Sequence, residues 1–206
     1  MKIGVIGGGP AGLFYAFLMK RDNPAHAIRV VERDPENATY GWGVVFSDVA
    51  LAFVREIAPE LYASMTERQE VHDDMAVVHR GVTVRLANNV FHRMARIDLL
   101  RALRAHAQRV GVDIAFDHRA DDIGEFADCD LIVAADGANS TIRSRHASHF
   151  EPMLDVRPNQ FAWYGTTRLF EALSLIFRQT EDGLIIAHCY QYSPTHSTFL
   201  VAKSGA

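Results

Sequence analysis

The chain has 206 residues, of which 49% are hydrophobic and 22% are charged, a composition typical of a folded globular protein rather than a disordered one. Its formal net charge of -4 at pH 7 argues against a general attraction to nucleic acid, because that partner needs a concentrated basic surface. Its apolar stretches also fall short of the roughly 20 residues that cross a bilayer, so we expect no nucleic-acid partner and no membrane partner.

A strand, a glycine-rich turn, a helix and a second strand open the chain. Lys2–Ile6 and Ile28–Glu32 are apolar runs of strand length, and Pro10–Lys20 between them favours a helix. A helix that connects two strands of one sheet makes the strands parallel and the crossover right-handed. The sequence therefore predicts an α/β fold with a helix-covered sheet.

The following segment, TYGWGVVFS at 39–47, is rich in glycine and aromatic residues and is predicted to be a loop. Asp48–Ile57 then favours a helix. Met75–Arg80 and Val82–Leu86 alternate between apolar and polar residues around Gly81, which is typical of a short hairpin.

An amphipathic helix over Ile97–Val110 is predicted next, because its apolar residues recur at helical spacing. Val112–Phe116 is predicted to be a strand. The short apolar run at 130–135 is typical of a buried parallel strand, and Asp136-Gly137 ends it at the edge where such sheets hold their sites.

After Pro158 the pattern changes to apolar segments of strand length without long helices between them, which predicts an antiparallel sheet. These segments are Phe161–Leu169, Leu173–Thr180, Leu184–Tyr192 and Ser197–Lys203. We therefore predict a Rossmann-like region at 1–157, with a hairpin insertion at about 72–95, and the beginning of a β-rich substrate domain at 158–206.

The turn Gly7-Gly8-Gly9-Pro10-Ala11-Gly12 satisfies the dinucleotide pattern G-x-G-x-x-G between a strand and a helix. Gly7 would permit the tight turn, Gly9 the approach of backbone to a pyrophosphate, and Gly12 close packing of helix on strand. The helix N-terminus offers its free N–H groups and positive dipole end to the phosphates, and Pro10 is compatible with a first helical turn. The alternative is a glycine turn in an unrelated connection.

Glu32 lies twenty residues after Gly12, at the end of the second strand, where a carboxylate can accept hydrogen bonds from adenosine ribose hydroxyls. An acidic residue there disfavours a ribose 2′-phosphate, so FAD or NAD fits the turn better than NADP. Arg33 either stacks on adenine or lies in solvent.

Asp136, Gly137, Ser140 and Arg143 form the pattern DGxxSxxR, and together with the glycine turn this resembles the FAD-dependent aromatic hydroxylases, the group A flavoprotein monooxygenases. The resemblance selects FAD. It implies that Asp136-Gly137 contacts both FAD and the co-substrate NAD(P)H, while Ser140 and Arg143 anchor the turn. The residues alone also predict a helix that is capped by Asn139 or Ser140, with Arg143 exposed to solvent. This capping role and the anchoring role that the resemblance implies can both hold.

The same resemblance assigns two further parts of a flavin site. Trp42 and Gly43 occupy the position where this family lays backbone along the isoalloxazine and ribityl groups. Arg96, followed by Leu99 and Leu100, is similar to the family's arginine at a helix start that reaches the flavin-side phosphates or the ribityl chain. The alternative for Arg96 is a surface residue in a first helical turn.

The resemblance runs from residue 1 to about residue 203. Within it, three segments indicate particular branches of the family: GWGVVFSD, DVRPNQFAWYGT and AHCYQYSPTHSTFLV. They are similar to the branches that hydroxylate salicylyl-CoA and, in the violacein pathway, tryptophan. The implied activity is hydroxylation of a small aromatic substrate by FAD, NAD(P)H and dioxygen, with a CoA thioester favoured and a tryptophan or indole substrate as the alternative. An NAD-binding reductase is the third interpretation, but it has no use for Asp136-Gly137.

Family members are about twice as long, and the Gly-Asp motif of their second half is absent here. The chain is therefore expected to be truncated after Ser204-Gly205-Ala206. A flavoprotein fragment that binds FAD weakly or not at all, and has no monooxygenase turnover, is an open alternative. We expect the uncovered sheet edge to be covered by another chain or by formation of a homodimer.

No catalytic acid or base is assigned. Five residues on the late strands are candidates for a substrate pocket, although packing roles are favoured for each: Trp163, Tyr164, His188, Tyr190 and Tyr192. We predict no metal site, because His146 and His149 lack a third ligand of suitable spacing. Cys129 and Cys189 are too few for a disulfide framework, which favours a reducing, cytoplasmic setting.

Overall fold

The computed structural model describes residues 1–181 and 183–203, so the expected truncation at 204–206 lies outside the described residues. By its contacts the chain divides into two compact units. The first holds Met1–Ala38 and Leu99–Leu154, and the second holds Thr39–Asp98 and the described residues from Asp155 onward. No helix of this described part is long and apolar enough to cross a membrane.

The strands of the described residues are β1 (Lys2–Ile6), β2 (Ala27–Val31), β3 (Gly43–Ser47), β4 (Glu70–His79), β5 (Val82–Ala95), β6 (Asp113–Ala115), β7 (Leu131–Ala134), β8 (Gln160–Thr166), β9 (Leu173–Thr180), β10 (Gly183–Ser193) and β11 (His196–Lys203). The helices are α1 (Pro10–Asp22), α2 (Asp48–Ile57), α3 (Pro59–Thr66), α4 (Arg96–Arg109), α5 (Thr141–Arg145) and α6 (Ala147–Phe150), with a 3₁₀ turn at Ile123–Phe126.

The first unit is built on four parallel strands in the order β6-β2-β1-β7. β1 lies between two neighbours, and its side chains Ile3, Val5 and Ile6 are buried, as expected of a central parallel strand covered on both faces. The predicted α/β class and the βαβ unit are confirmed. Because the strands are parallel, β1, β2 and β7 all end at the same edge of the sheet.

The two long helices, α1 and α4, each bury an apolar face in the first unit. α1 buries Leu13, Ala16 and Phe17. In α4 the buried residues include Leu103 and Ala107, which belong to the predicted apolar stripe.

The second unit is built on a seven-stranded sheet in the order β3-β5-β4-β9-β10-β11-β8. All neighbours are antiparallel except β4 and β9, which pair in parallel. The predicted antiparallel arrangement of the four late strands is therefore confirmed. Leu173, Tyr190 and Tyr192 form a buried cluster on this sheet, against which Val45 and Phe91 pack.

The structure differs from the sequence prediction at three elements of the second unit. The segment predicted as a loop at 39–47 contains a strand, β3, because Gly43–Ser47 pairs with the end of β5. The hairpin is longer than predicted and runs over β4 and β5. α3 was not predicted from the sequence.

The two compact units also do not divide at the predicted boundary between residues 157 and 158. The reason is the pairing of β4 with β9, in which Met75 lies opposite Leu173 and Phe177 opposite His79. This pairing joins the hairpin insertion to the late strands in one sheet, so residues 39–98 belong with the β-rich part of the chain.

Candidate functional site

The glycine turn lies between β1 and α1, and two of its glycines are required by packing within the chain itself. Gly7 has a φ of +110°, and a Cβ on it would overlap the carbonyl oxygen of Ala135. A Cβ on Gly12 would overlap the carbonyl oxygen of Gly7. Both positions therefore hold α1 and the turn close to the ends of β1 and β7, as expected from the motif.

Gly9 differs from its neighbours, because a Cβ added to it would meet no protein atom within 4 Å. Gly9 is also the N-cap residue of α1, with no side-chain cap, and Pro10 begins the helix. Pro10 has no N–H, and the Leu13 N–H donates to the Gly9 carbonyl. The N–H groups of Ala11 and Gly12 have no hydrogen-bond partner among the described residues, so they can bind an anion at the positive end of the helix. The turn fits a pyrophosphate that approaches at Gly9.

Glu32 lies directly after β2 and faces the glycine turn. Its carboxylate accepts hydrogen bonds from the N–H of Gly8 at 2.7 Å and from the N–H of Asp34 at 3.0 Å. A Cβ on Gly8 would lie 2.8 Å from the Glu32 Cβ, so the turn and the carboxylate are in close contact. Each oxygen retains lone pairs, which leaves the carboxylate able to accept hydrogen bonds from ribose hydroxyls.

Arg33, the next residue, lies at the surface. Its side chain is 65% exposed, and its Nε lies 3.9 Å from the carboxylate of the neighbouring Asp34. This arrangement agrees with the solvent-exposed alternative for Arg33, and an exposed ion pair of this kind contributes little to stability.

Asp136 follows β7 and organises the turn that leads into α5. Its Oδ1 accepts from the Ser140 hydroxyl at 2.5 Å, and its Oδ2 accepts from the N–H groups of Thr141 at 2.7 Å and Ile142 at 3.3 Å. Burial opposes ionisation of this carboxyl, but the hydrogen bonds from Ser140, Ile142 and Thr141 outweigh it, and the pKa of Asp136 lies below its usual range. Asp136 is thus an ionised cap of α5.

Gly137 has a φ of +91°, which favours glycine, and a Cβ on it would meet no protein atom within 4 Å. Ser140 caps α5 by accepting from the N–H of Arg143 at 2.9 Å, and the Arg143 guanidinium donates to the Ala138 carbonyl at 2.6 Å. The capping alternative of the sequence analysis is therefore realised for Ser140, whereas Arg143 is tied to the turn rather than solvated.

A cleft of about 740 Å³ in the first unit is lined by this turn, by apolar side chains of β7 and by His146 and His149. His146 Nε2 lies 3.8 Å from the carboxylate of Asp122. Within the described ranges of the chain, no three His, Cys, Asp or Glu side chains converge as metal ligands.

The second unit contains Trp42, Gly43 and Arg96, and the structure brings these three together. The N–H of Arg96 donates to the Trp42 carbonyl at 2.8 Å, which ties the start of α4 to the residue before β3. Trp42 is 47% exposed, whereas Gly43 is buried. Arg96 Nε is buried and has no hydrogen-bond partner among the described residues, so the side chain retains a donor that a bound anion can use.

Candidates for a substrate pocket divide into two groups in the structure. Tyr190 and Tyr192 are 7% exposed and contribute to the buried cluster of the second unit, which agrees with the packing role favoured for them. Trp163 lies against Gly41. Tyr164, in contrast, is 56% exposed.

Arg93 is a residue that the sequence analysis did not single out. It lies on β5 and has no exposed surface, and within the part of the chain that the structure describes its Nε and Nη1 have no hydrogen-bond partner. Burial lowers the pKa of the Arg93 guanidinium to about 10, although its attraction to the Glu70 carboxylate raises the pKa and offsets part of this shift. The signal in the sequence is the alternation Phe91-His-Arg93-Met-Ala95, which places a charge on the apolar side of a strand.

Comparison with known proteins identifies similar sequences along nearly the whole chain. The sequence model of the FAD binding domain family matches residues 1–199. Salicyloyl-CoA 5-hydroxylase of Streptomyces sp is 36% identical over 98% of this chain and 39% of the relative. Protodeoxyviolaceinate monooxygenase of Chromobacterium violaceum is 36% identical over 99% of this chain and 55% of the relative.

A third relative is the 3-hydroxy-4-methyl-anthranilyl-[aryl-carrier protein] 5-monooxygenase of Streptosporangium sibiricum, which is 35% identical over 100% of this chain and 58% of the relative. The resemblance to aromatic hydroxylases of the salicylyl-CoA and violacein branches is confirmed. The chain nevertheless spans only 39% to 58% of the length of these three relatives.

Solved structures agree with this comparison at the level of the fold. The p-nitrophenol 4-monooxygenase PnpA of Pseudomonas putida DLL-E4 matches 98% of this chain and 57% of its own with a TM-score of 0.77. At 15% identity this likeness establishes the architecture alone.

Proposed function

The chain belongs to the FAD binding domain family, and from this we propose that it forms the FAD-binding part of a monooxygenase that hydroxylates a small aromatic substrate. The proposed reaction converts an aromatic C–H to C–OH. One oxygen atom of dioxygen enters the product and the other leaves as water, while NAD(P)H supplies two electrons and becomes NAD(P)⁺. Bound FAD supplies the redox chemistry, and the protein supplies binding, orientation and exclusion of water.

The observation that carries this proposal is the open space at Gly9. Gly7 and Gly12 have reasons within the chain to be glycine, but Gly9 has none. A ligand that approaches the backbone at Gly9 would supply a reason, because Gly9, unlike the equally open Gly124, lies at the N-terminus of a long helix that follows a parallel strand. The N–H groups at the start of α1 favour an anion as that ligand, and Glu32 next to the turn supports an adenosine ribose beyond it.

For the remaining part of the cofactor we propose the residues that the family resemblance named. Trp42 and Gly43 would lie along the flavin and ribityl groups, and Arg96, with its unpaired buried donor, would bind an anionic oxygen of the cofactor. Gly137 offers open backbone at a positive φ. Asp136 acts indirectly in this proposal, because its carboxylate already holds the turn that presents Gly137.

An aromatic acyl thioester is the substrate class that we favour. Two of the three relatives carry thioester substrates in their names, salicyloyl-CoA in one and an anthranilyl-carrier protein in the other. The relative named for protodeoxyviolaceinate has the same 36% identity and supports a substrate without a thioester, such as an indole, as the second candidate. Adding salicylyl-CoA and tryptophan in parallel to the loaded protein and measuring NADH and NADPH oxidation with hydroxylated product would distinguish them.

Binding of FAD by the purified chain tests the proposal through one pair of variants. Gly9→Val should abolish FAD binding, because the side chain fills the space left for the pyrophosphate, while the fold remains intact. Gly124→Val is the matched control, since a Cβ there also meets no protein atom within 4 Å and the residue lies in the 3₁₀ turn outside the glycine turn. We expect its FAD affinity, measured by flavin fluorescence, to equal that of the unmodified chain.

Retention of FAD by Gly9→Val would refute the placement of the pyrophosphate. Failure of the unmodified chain to bind FAD would refute the proposed function for this chain and favour the alternative of a flavoprotein fragment that does not retain FAD.

A further inference from the structure

We propose that Tyr190 and Thr198 are positioning residues for the flavin, which they influence through the backbone of Gly43. The proposal rests on the proposed function, in which the flavin lies along Trp42 and Gly43. Neither side chain needs to touch the cofactor. Their role is to fix the segment 41–43, on which the flavin would rest.

Both backbone polar groups of Gly43 are bound by side chains from distant strands. The Gly43 N–H donates to Thr198 Oγ1 at 3.1 Å, and the Tyr190 hydroxyl donates to the Gly43 carbonyl at 2.8 Å. Tyr190 and Thr198 are cross-strand partners on β10 and β11. One pair of neighbouring side chains therefore holds a single peptide segment by its donor and its acceptor.

Burial makes these two bonds costly to break. Thr198 has no exposed surface, Tyr190 is 7% exposed, and Gly43 is itself buried. A buried donor or acceptor that loses its partner retains the full cost of its desolvation. Burial also raises the pKa of the Tyr190 phenol, so its proton stays in place to be donated. The segment is thus fixed at Gly43.

Packing fixes the same segment at each of its three residues. A Cβ on Gly41 would lie 2.6 Å from Trp163 Cη2, and a Cβ on Gly43 would lie 2.7 Å from Tyr192 Cβ. The Trp42 ring in turn packs against Gly165, where an added Cβ would lie 2.7 Å from Trp42 Cδ2. Each aromatic ring occupies space that a facing glycine leaves empty, so the segment has no room to move toward the sheet.

A segment held in this way is preorganised for a flat ligand. The conformational entropy of the segment is lost when the protein folds, so ligand binding does not have to compensate for that loss. Because the polar groups of Gly43 are already bound, the segment offers the ligand mainly its shape and the half-exposed Trp42 ring. Loss of either hydroxyl would free one end of the Gly43 peptide and loosen the flavin without affecting the adenosine half.

Single-atom variants test this separation. Tyr190→Phe removes the hydrogen bond to the Gly43 carbonyl, and Thr198→Val removes the one from the Gly43 N–H. Either change also removes the side-chain hydrogen bond between Tyr190 and Thr198. Thr198→Ser keeps the hydroxyl, and Tyr164→Phe removes the hydroxyl of an exposed residue of the same sheet. Affinities of the purified 206-residue chain for FAD and for ADP, which carries the adenosine half without flavin, are measured by titration calorimetry. The visible absorption spectrum of bound FAD reports the surroundings of the flavin.

We expect the FAD dissociation constant to rise about five-fold for each lost hydrogen bond to Gly43, which corresponds to a net contribution of about 1 kcal/mol. The ADP dissociation constant should stay unchanged in the same variants. The flavin absorption band should lose its fine structure in Tyr190→Phe and Thr198→Val only. Thr198→Ser and Tyr164→Phe should match the unmodified chain in all three measurements.

An unchanged FAD affinity and spectrum in both Tyr190→Phe and Thr198→Val would overturn the proposal while leaving the proposed function intact. An equal loss of FAD and ADP affinity would also overturn it, because that result indicates a general structural role. If Thr198→Val does not fold, Tyr190→Phe decides alone. A chain that binds neither FAD nor ADP would refute the proposed function itself, and this proposal with it.

Discussion

Replacing Asp136 with alanine should destabilise the first unit and do so in a pH-dependent manner. The carboxylate accepts three hydrogen bonds, from the Ser140 hydroxyl and from the N–H groups of Thr141 and Ile142. Asp136→Ala removes all three and leaves the first turn of α5 without this acceptor. Asp136→Asn keeps one acceptor oxygen for the two backbone N–H groups and loses the charge.

The expected size follows from these contacts. Loss of a helix cap costs about 1 kcal/mol, and hydrogen bonds to a charged acceptor contribute about 1.5 to 3 kcal/mol. The turn is partly exposed, so water recovers part of the loss. We therefore expect Asp136→Ala to lower the free energy of unfolding by about 2 to 3 kcal/mol near neutral pH, and Asp136→Asn by about 1 kcal/mol.

The sign of the pH dependence follows from the direction of the pKa. Burial opposes ionisation, but the hydrogen bonds hold the pKa of Asp136 below the ordinary value for an aspartate of about 3.9. The stabilisation by the carboxylate is then fully present above that ordinary value and is lost as the pH falls through the lower, folded-state pKa. The difference between Asp136→Ala and the unmodified chain should be constant from neutral pH down to about pH 5 and narrow below about pH 4.

Urea unfolding followed by circular dichroism at several pH values measures this difference, provided that the dependence on urea stays the same among the variants. Asp121→Ala is the control, because Asp121 is half-exposed and forms a surface ion pair with Arg119, which should contribute less than about 1 kcal/mol. A loss from Asp136→Ala no larger than that of the control, or one that persists unchanged to pH 3, would refute the role of Asp136 as an ionised cap.

Two further substitutions test the packing of each unit. Gly12→Ala should prevent correct folding of the first unit or lower its thermal midpoint by several degrees, because the added Cβ would overlap the Gly7 carbonyl oxygen; a midpoint equal to that of the unmodified chain would contradict this contact. Arg93→Met should leave stability unchanged or raise it by about 1 kcal/mol, because it replaces a buried guanidinium with two unpaired nitrogens by an apolar side chain of similar length. A loss of more than about 2 kcal/mol in urea unfolding would contradict this, because it would show that the 3.4 Å hydrogen bond from Arg93 Nη2 to the Glu171 carbonyl and the attraction of Glu70 outweigh the cost of burying the charge.

Local patterns allowed the first unit to be predicted from the sequence. The alternation of strand, turn and helix, the glycine turn and the acidic residue at Glu32 all lie within a short stretch of chain, and their physical reasons are local. The Asp136-Gly137 turn was also visible, because β7 ends there. What the sequence could not distinguish was whether Ser140 and Arg143 served the turn or the solvent, since that depends on side-chain rotamers.

The second unit was harder to predict because its determining contacts join distant parts of the chain. Trp42 lies over Gly165, and Tyr190 reaches Gly43, but neither pair leaves a local pattern in the sequence. The parallel pairing of β4 with β9 also leaves no local pattern in the sequence. This pairing makes the β4–β5 hairpin part of the same seven-stranded sheet as the late strands. Tyr190 was therefore predicted only as a candidate for a substrate pocket with a packing role favoured, and its hydrogen bond to the candidate flavin segment came from the structure.

The glycine turn shows most clearly what a structure adds to a sequence motif. In the sequence, Gly7, Gly9 and Gly12 carry equal weight, because each satisfies one position of the pattern. In the structure, Gly7 and Gly12 are required by the protein's own backbone, so their presence would be needed even if the chain bound nothing. Among these three, only Gly9 leaves open space around an added Cβ. Of the three glycines, Gly9 is therefore the one whose replacement can separate folding from binding, and a test of FAD binding belongs at that position.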